Sequence, residues 1–380
     1  MKKFLIFAAA IAISVACAKI SDVSSTSNEG TQIGFGTWAP KLTRAEARVQ
    51  GTSTFLAGDT FAVYGYKDKS DDSDPKTVFD DVVVTASGSP VDAWDYDNHR
   101  FWDSNYDKYI FYAISPSAIG TAATVDPQTG VVTSATITFA GDDNDVLVAD
   151  KKIVNKTDGS GNFNSWGTVH IVFNHAASLV DFKVKKAPSL TDATVKVSAF
   201  GLTQIENAGV MSVDDDYDNT FPDATAGHPN ISWSTDTKAP YGPADGVTPV
   251  DISSAITVAE DTAFNPASPT TPAASTFLIN SLVVKPQTFG ATGNAASQQL
   301  SITYTIDALG TGVDVVEHTS ILYLADFDIV DDADQEDTKV ASWAPGKHYT
   351  FYITIDAHDI KFDAEITDWT AVSGYHYLTN

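Results

Sequence analysis

The chain has 380 residues, a length that predicts about two domains, each with its own core. A hydrophobic content of 43% excludes a disordered chain, and the single cysteine excludes a disulfide framework and a Cys-X-X-Cys redox pair. The formal net charge of −26 argues against nucleic acid as a partner, because the average surface repels phosphate.

The chain begins with a segment typical of exported proteins. Two lysines precede an apolar run that ends at Cys17. The run is short for a membrane span and has the small-residue end of a secretory signal, so we expect residues 1–16 to be removed. Ser14, Val15 and Ala16 are similar to a lipobox, with Ser14 at the position where Leu is commonest. We therefore predict acylation of Cys17; the alternative is an ordinary signal peptide with an incidental cysteine.

The next segments predict a flexible leader and then a short strand. Residues 17–31 are rich in Ser, Thr and Asn, which is typical of a linker, and Ile33, Phe35 and Thr37 then alternate as in a strand. Thr43 to Gln50 could form a turn or two of helix.

Arginine is concentrated in one stretch near this first strand. The chain has three Arg residues, and Arg44 and Arg48 both lie between the first strand and the next. A protease that requires Arg would find few other places to cut. Chance clustering in a polar connector is the alternative interpretation.

Alternation with period two dominates the rest of the chain and predicts strands with one buried and one solvated face. It is seen in the sets Val169/Ile171/Phe173, Ile302/Tyr304/Ile306, Tyr349/Phe351/Ile353/Ile355 and Ile360/Phe362/Ala364/Ile366. Helical periodicity is nearly absent. The predicted fold class is therefore all-β, with antiparallel β-sandwiches.

A boundary between two domains is predicted near Pro188. Val180, Phe182 and Val184 have the pattern of a last strand of one unit, and a new alternating run begins at Val195. The predicted domains are residues 32–188 and 189–380. The second has many prolines, which predict long surface loops.

The sequence contains no motif for catalysis, a cofactor or a metal centre. Gly-x-Ser-x-Gly, His-Glu-x-x-His and phosphate-loop patterns are all absent from it. His170 and His175 are an odd number of residues apart, so they fall on opposite faces of one strand and cannot chelate a metal together. Acidic stretches such as Asp214–Asp218 lack the EF-hand pattern; whether they bind calcium stays open.

Aromatic clusters allow two interpretations. Trp94-Asp95-Tyr96 and Phe101-Trp102 could stack on sugar rings at a surface, or they could fill the core between two sheets. Exposed, coplanar rings would favour the first interpretation.

Several motifs, taken in their order, resemble the fimbrillins of the Bacteroidetes type V pilus family, over nearly the whole chain from Cys17 onward. They are Leu42-Thr43-Arg44-Ala45, Gly58-Asp59-Thr60-Phe61-Ala62-Val63-Tyr64, Trp102-Asp103, Tyr109-Ile110-Phe111-Tyr112-Ala113, Val172-Phe173-Asn174-His175, Trp343-Ala344-Pro345-Gly346-Lys347-His348-Tyr349, Ile360-Lys361-Phe362 and Ile366-Thr367-Asp368-Trp369.

The resemblance implies a structural, non-enzymatic pilus subunit with two tandem transthyretin-like β-sandwich domains. It also implies export as a lipoprotein to the outer-membrane surface, removal of the first strand by a maturation protease after an Arg, and polymerisation with other pilin subunits by strand exchange. The expected cleavage site is Arg44, with Arg48 as the fallback. The expected donor residues lie in the C-terminal region and are Ile360, Phe362, Ile366, Val372, Tyr375 and Tyr377.

Two other classes of function compete with this one. A lipid-anchored glycan-binding protein of a polysaccharide-uptake system is the runner-up, and an enzyme is third. A short N-terminal strand that ends at an Arg-bearing loop would favour the pilus subunit.

Overall fold

A computed structural model describes most of the chain beyond the N-terminal leader. The described residues are 30–38, 43–44, 51–52, 55–69, 75–88, 91–139, 145–157, 166–218, 226–234, 238–241, 250–257, 276–308, 312, 315–329, 339–356 and 360–368. Nearly all regular elements among them are strands, so the all-β prediction is confirmed. No helix in these ranges is long and apolar enough to cross a membrane.

The described residues form 25 strands, one short helix and two 3₁₀ turns. The strands are β1 (Phe35–Trp38), β2 (Thr43–Arg44), β3 (Gly51–Thr52), β4 (Thr60–Asp68), β5 (Lys76–Gly88), β6 (Val91–Asp95), β7 (Lys108–Ser115), β8 (Val132–Thr138), β9 (Leu147–Ala149), β10 (Lys151–Asn155), β11 (Val169–His175), β12 (Ser178–Lys186), β13 (Thr194–Glu206), β14 (Ala208–Asp218), β15 (Ala226–Trp233), β16 (Lys238–Tyr241), β17 (Val250–Thr257), β18 (Thr276–Val284), β19 (Gln287–Thr288), β20 (Gln299–Asp307), β21 (Val316–Tyr323), β22 (Asp328–Ile329), β23 (Ser342–Trp343), β24 (Lys347–Ile355) and β25 (Ile360–Asp368). The helix is α1 (Ser117–Ala122), and the 3₁₀ turns are Pro188–Leu190 and Leu324–Asp326.

Eleven strands make the largest sheet, in the order β1-β11-β9-β7-β10-β15-β14-β8, with β4, β5 and β6 branching from β7. Both faces of its centre are covered. On β4, Phe61 and Val63 enter one hydrophobic cluster, whereas Ala62 and Tyr64 enter another. A strand buried on both faces needs apolar residues at consecutive positions, which is why β4 and β7 have continuous apolar runs.

Two five-stranded sheets hold the later part of the chain. One has the order β18-β12-β24-β25-β22, and the other the order β16-β13-β20-β21 with β17 also paired to β13. Phe182 of β12 stacks on Phe351 of β24 with centroids 4.8 Å apart, and it meets Phe200 of β13 at 5.3 Å. The two sheets therefore pack face to face as a sandwich.

The molecule has two hydrophobic cores. The N-terminal core gathers apolar side chains from β1, β4, β5, β7 and β11, including Phe35, Phe61, Phe111 and Phe173. The main core runs from the other face of the large sheet into the sandwich of the later sheets. Because this main core is continuous, the two parts of the chain share buried surface.

The expected placement of one strand is wrong. The run with Val180, Phe182 and Val184 was expected to close the N-terminal unit, but β12 pairs with β18 and β24. Conversely, β14 and β15 follow residue 188 and join the large sheet. Alternation shows which face of a strand is buried, but not which sheet the strand joins. The boundary near Pro188 stays a prediction.

The predicted helical turn near Thr43 is wrong at its start. Thr43 and Arg44 form β2, which pairs with Gly51 and Thr52 of β3. The helix α1 lies elsewhere, after Pro116, where the sequence pattern did not indicate one. It is six residues long, and so short a helix has too few turns to display a periodic apolar face.

Candidate functional site

The candidate site is the N-terminal edge strand β1 and the groove that holds it. Among the described strands, β1 pairs on one side only, in parallel with β11, with Phe35 opposite Val169 and Trp38 opposite Val172. The strand predicted from Ile33, Phe35 and Thr37 is thus present and lies at the edge of the large sheet. An edge strand can leave without breaking the pairing between the other strands.

Alternate residues of this segment enter the N-terminal core. Ile33 is fully buried and Phe35 is 5% exposed. The ring of Phe35 meets four other rings edge-on, at centroid distances of 5.4 Å to Phe79, 5.6 Å to Tyr96, 6.0 Å to Phe111 and 6.1 Å to Phe61. Such aromatic contacts add to the free energy of apolar burial. The groove under β1 is therefore an aromatic pocket that the side chain of Phe35 fills.

Gly36, which follows Phe35, allows the backbone of β1 to lie close to the His170 ring of β11. A Cβ atom on Gly36 would lie 2.9 Å from Nδ1 of His170. Any larger residue there requires the His170 ring to move. The pattern Ile-Gly-Phe-Gly thus places large side chains on the face of the segment toward the core and no side chains on its other face.

A loop before β7 holds the start of the segment by hydrogen bonds. The backbone N–H of Ile33 donates to the carbonyl of Arg100 at 2.8 Å, and the hydroxyl of Tyr96 donates to the carbonyl of Ile33 at 2.7 Å. The N–H of Trp102 donates to the carbonyl of Thr31 at 3.0 Å. Burial raises the pKa of Tyr96, so its hydroxyl keeps its proton and remains a donor.

The Arg-bearing segment lies shortly after β1. The backbone of Arg44 pairs with Gly51 in a two-residue ladder, so the bond after Arg44 is at the loop end of that ladder. Arg48 and Cys17 lie outside the described residues. The third arginine, Arg100, donates from Nε to the carbonyl of Val78 at 3.2 Å and so supports the loop that holds Ile33.

Three of the six expected donor residues lie in a paired strand, and the other three lie outside the described residues. Ile360, Phe362 and Ile366 belong to β25, which pairs with β24 through nine residue pairs and with β22 on its other side. This stretch thus completes its own sheet. Val372, Tyr375 and Tyr377 lie outside the described residues.

The expected surface aromatics are mostly core residues. Tyr96 and Trp102 are buried in the N-terminal core, Trp94 is half-buried beside it, and Phe101 is exposed. Among the side chains that the structure describes, no Trp or Tyr is exposed. The second interpretation of these clusters, as core filling, therefore holds for Tyr96 and Trp102.

The two histidines of β11 lie on opposite faces, as predicted. His170 is exposed, and His175 is buried with Nδ1 3.0 Å from Oδ2 of Asp145. Within the described ranges, no group of His, Cys, Asp or Glu side chains could hold a metal ion.

Sequence reasoning missed most of the groove. Phe79 and Tyr96 meet Phe35 only because β5 and the loop after β6 fold over β1, a long-range contact that periodicity does not contain. The one available signal was the density of aromatics between residues 94 and 112.

Comparison with known proteins gives one family. The model of a family described as fimbrillin-like matches residues 43–369. A fimbrial protein from Bacteroides vulgatus has 20% identity and a TM-score of 0.48, over 89% of this chain and 99% of that one. A fimbrilin from Porphyromonas gingivalis has 10% identity and a TM-score of 0.42, over 90% and 98%. No curated protein matches the chain. Since both TM-scores are low, the family match carries the comparison.

Proposed function

Because this chain belongs to the fimbrillin-like family, we propose that it is a structural subunit of a cell-surface pilus that supports adhesion. The family match over residues 43–369 is the observation that carries this proposal. The partners are then other pilin subunits, and the location is the fimbrium at the cell surface.

Assembly by strand exchange is the mechanism that the groove under β1 supports best. β1 is held by one short parallel ladder, and the residues just before it by a few hydrogen bonds to the loop before β7; each hydrogen bond contributes about 0.5–1.5 kcal/mol net. Its departure opens an apolar pocket lined by Phe61, Phe79 and Phe111, with the free edge of β11 beside it. A strand from another subunit restores both the pairing and the burial.

Cleavage after Arg44 would make this exchange irreversible. A cut there detaches β1 together with β2, and their departure also breaks the two-residue pairing of β2 with β3 and the hydrogen bonds of Thr31 and Ile33. The new N-terminus would be Ala45, or Val49 after a cut at Arg48. The maturation protease is thus a partner of the chain.

The C-terminal tail is the proposed donor. Since Ile360, Phe362 and Ile366 are already paired within β25, the donor residues narrow to Val372, Tyr375 and Tyr377. Tyr375 and Tyr377 alternate as in a strand, and all three residues follow β25 in the sequence.

We propose that acyl chains on Cys17 anchor the precursor in the membrane. Two or three acyl chains anchor a protein stably, since each buried CH₂ contributes about 0.8 kcal/mol. The leader of residues 17–31 would then link the anchor to β1 until cleavage releases the body.

The test is cleavage of matched arginine variants by an Arg-specific protease. Arg44→Lys with Arg48→Lys keeps the charge but removes both cleavage sites, so the protein should remain a monomer. The control is Arg100→Lys, which should be cut and should polymerise.

New N-termini would be sequenced, and polymers followed as ladders on unheated gels. Polymers from the uncut double variant would refute release of β1 as the trigger. A native N-terminus far from Ala45 or Val49 would refute the cleavage site.

A further inference from the structure

Strands β10 and β11 of the large sheet run near each other without pairing and leave a cavity. β11 pairs with β9 through Phe173–His175, and β10 pairs with β7 through Lys152–Asn155. In the ladders that the structure describes, no pair joins β10 to β11. A cavity of about 330 Å³ lies between them, and it is lined by Trp102, the β10 residues 152–155 and residues 166–170. This is within the volume range of small-molecule sites.

Two tryptophans form part of its wall. Trp102 and Trp166 are both 2% exposed, and their rings stack with centroids 5.1 Å apart and planes 30° apart. Trp166 is fixed by its Nε1–H, which donates to the carbonyl of Asn155 at 3.1 Å. The two indoles therefore form a rigid, buried wall of the cavity and not an exposed platform.

The second tryptophan carries a donor without an acceptor. Nε1 of Trp102 is buried and has no hydrogen-bond partner among the described atoms. A buried donor that is left unsatisfied lowers the stability of the folded protein. Because Trp102 lines the cavity, an acceptor oxygen bound there would supply the missing partner.

The charge of the cavity is opposite to that of the chain. The chain has 49 acidic and 23 basic residues, yet the lining residues include Lys152 and His170 and no carboxylate. Thr168 adds a hydroxyl group at the same wall. The arrangement favours an anion that also carries hydroxyl groups.

We propose that the cavity between β10 and β11 binds an acidic monosaccharide unit, such as a uronic acid residue of a surface glycan. The carboxylate pairs with Lys152, a hydroxyl group contacts Thr168, and an oxygen accepts from Nε1–H of Trp102. This names a chemical class for the target of the adhesion proposed above. Binding is measured on the uncleaved monomer, so its result is independent of polymerisation.

The experiment compares two sugars that differ at one carbon. Methyl glucuronide carries a carboxylate where methyl glucoside carries a hydroxymethyl group. Each is titrated into the full chain labelled with ¹⁵N at tryptophan, and the Trp102 indole resonance is identified by its loss in Trp102→Phe. The glucuronide should shift this resonance, with an affinity at least about tenfold above that of the glucoside, because a hydrogen bond to a charged group is stronger than one between neutral groups.

Matched lysine variants locate the carboxylate. Lys152→Met should weaken glucuronide binding about tenfold, whereas Lys151→Met, one position earlier on β10 and outside the lining, should leave it unchanged. The proposal is overturned if the glucuronide leaves the Trp102 resonance unmoved, which would mean that the cavity holds only water. Equal binding of the glucoside or of acetate, or equal effects of the two lysine variants, would also overturn it.

Discussion

At the residue scale, Phe35 is a side chain that holds β1 in its groove. It is nearly fully buried and meets four aromatic rings. Phe35→Ala should lower the free energy of unfolding of the uncleaved protein by about 3–5 kcal/mol, because it leaves a cavity among those rings. Urea unfolding followed by circular dichroism measures this change.

The matched control is Phe101→Ala in the neighbouring loop. Phe101 is 53% exposed, so its loss should change stability by about 0.5 kcal/mol or less. After cleavage and departure of β1, the Phe35→Ala protein and the wild type have the same sequence and should unfold at the same urea concentration. A persistent difference would show that β1 stays bound.

Buried tyrosines predict a loss of stability at alkaline pH. Burial raises the pKa of Tyr109 and of Tyr349 from the ordinary value of 10.0. A folded-state pKa above the unfolded value means that the contribution is complete below pH 10 and is lost as the pH rises through the folded pKa. The free energy of unfolding should therefore fall from about pH 10 upward.

The variant Tyr109→Phe tests this assignment. It removes one ionisable group and also the acceptor for the N–H of Asp103, which lies 2.9 Å from the Tyr109 oxygen. The variant should lose about 1 kcal/mol at neutral pH but show a flatter alkaline decline in urea midpoints. An identical alkaline slope in both proteins would contradict the role of Tyr109.

At the element scale, periodicity predicted strands well and their partners poorly. The alternation Ile360 to Ile366 predicted β25, and that of Ile33 to Thr37 predicted β1, because each strand has one face toward a core. The partner of β12 and the closure of β5 over β1 depend on contacts between distant segments, which no local pattern records. The groove could therefore be anticipated as an edge, but not as an aromatic pocket.

The donor role of the tail gives an element-scale prediction. Deleting Val372–Asn380 should leave a folded monomer, since the deletion begins after β25 has paired with β24. After cleavage, this protein should not extend polymers, because it has a groove but no donor strand. Added to the wild type, it should shorten the ladders on unheated gels. Ladders of normal length from the truncated protein alone would exclude the tail as donor.

At the scale of the whole molecule, the sheets and the main core connect regions that the sequence divides. β13 pairs with β20 in one sheet, while β14, which follows it directly, pairs with β8 in the large sheet. The side chain of Trp233 on β15 donates from Nε1 to the carbonyl of Ala176 at 2.9 Å. Each predicted domain therefore contains strands that complete a sheet of the other.

Because the two predicted domains share sheets in this way, we expect that residues 32–188 do not fold alone. Such a fragment would lack β14 and β15, which pair with β8 and β10. It would also contain β12 without its partner strands β18 and β24. The exposed faces of β12 include Val180, Phe182 and Val184, all fully buried in the whole chain, and exposing each costs about 1.5–3 kcal/mol. A domain of this size is stable by only about 5–15 kcal/mol, so the loss is decisive.

Separately produced, residues 32–188 should show no cooperative urea transition and rapid proteolysis, and co-expression with residues 189–380 should restore both cooperativity and protection. A cooperative transition of the isolated fragment would instead establish an independent domain that ends near Pro188.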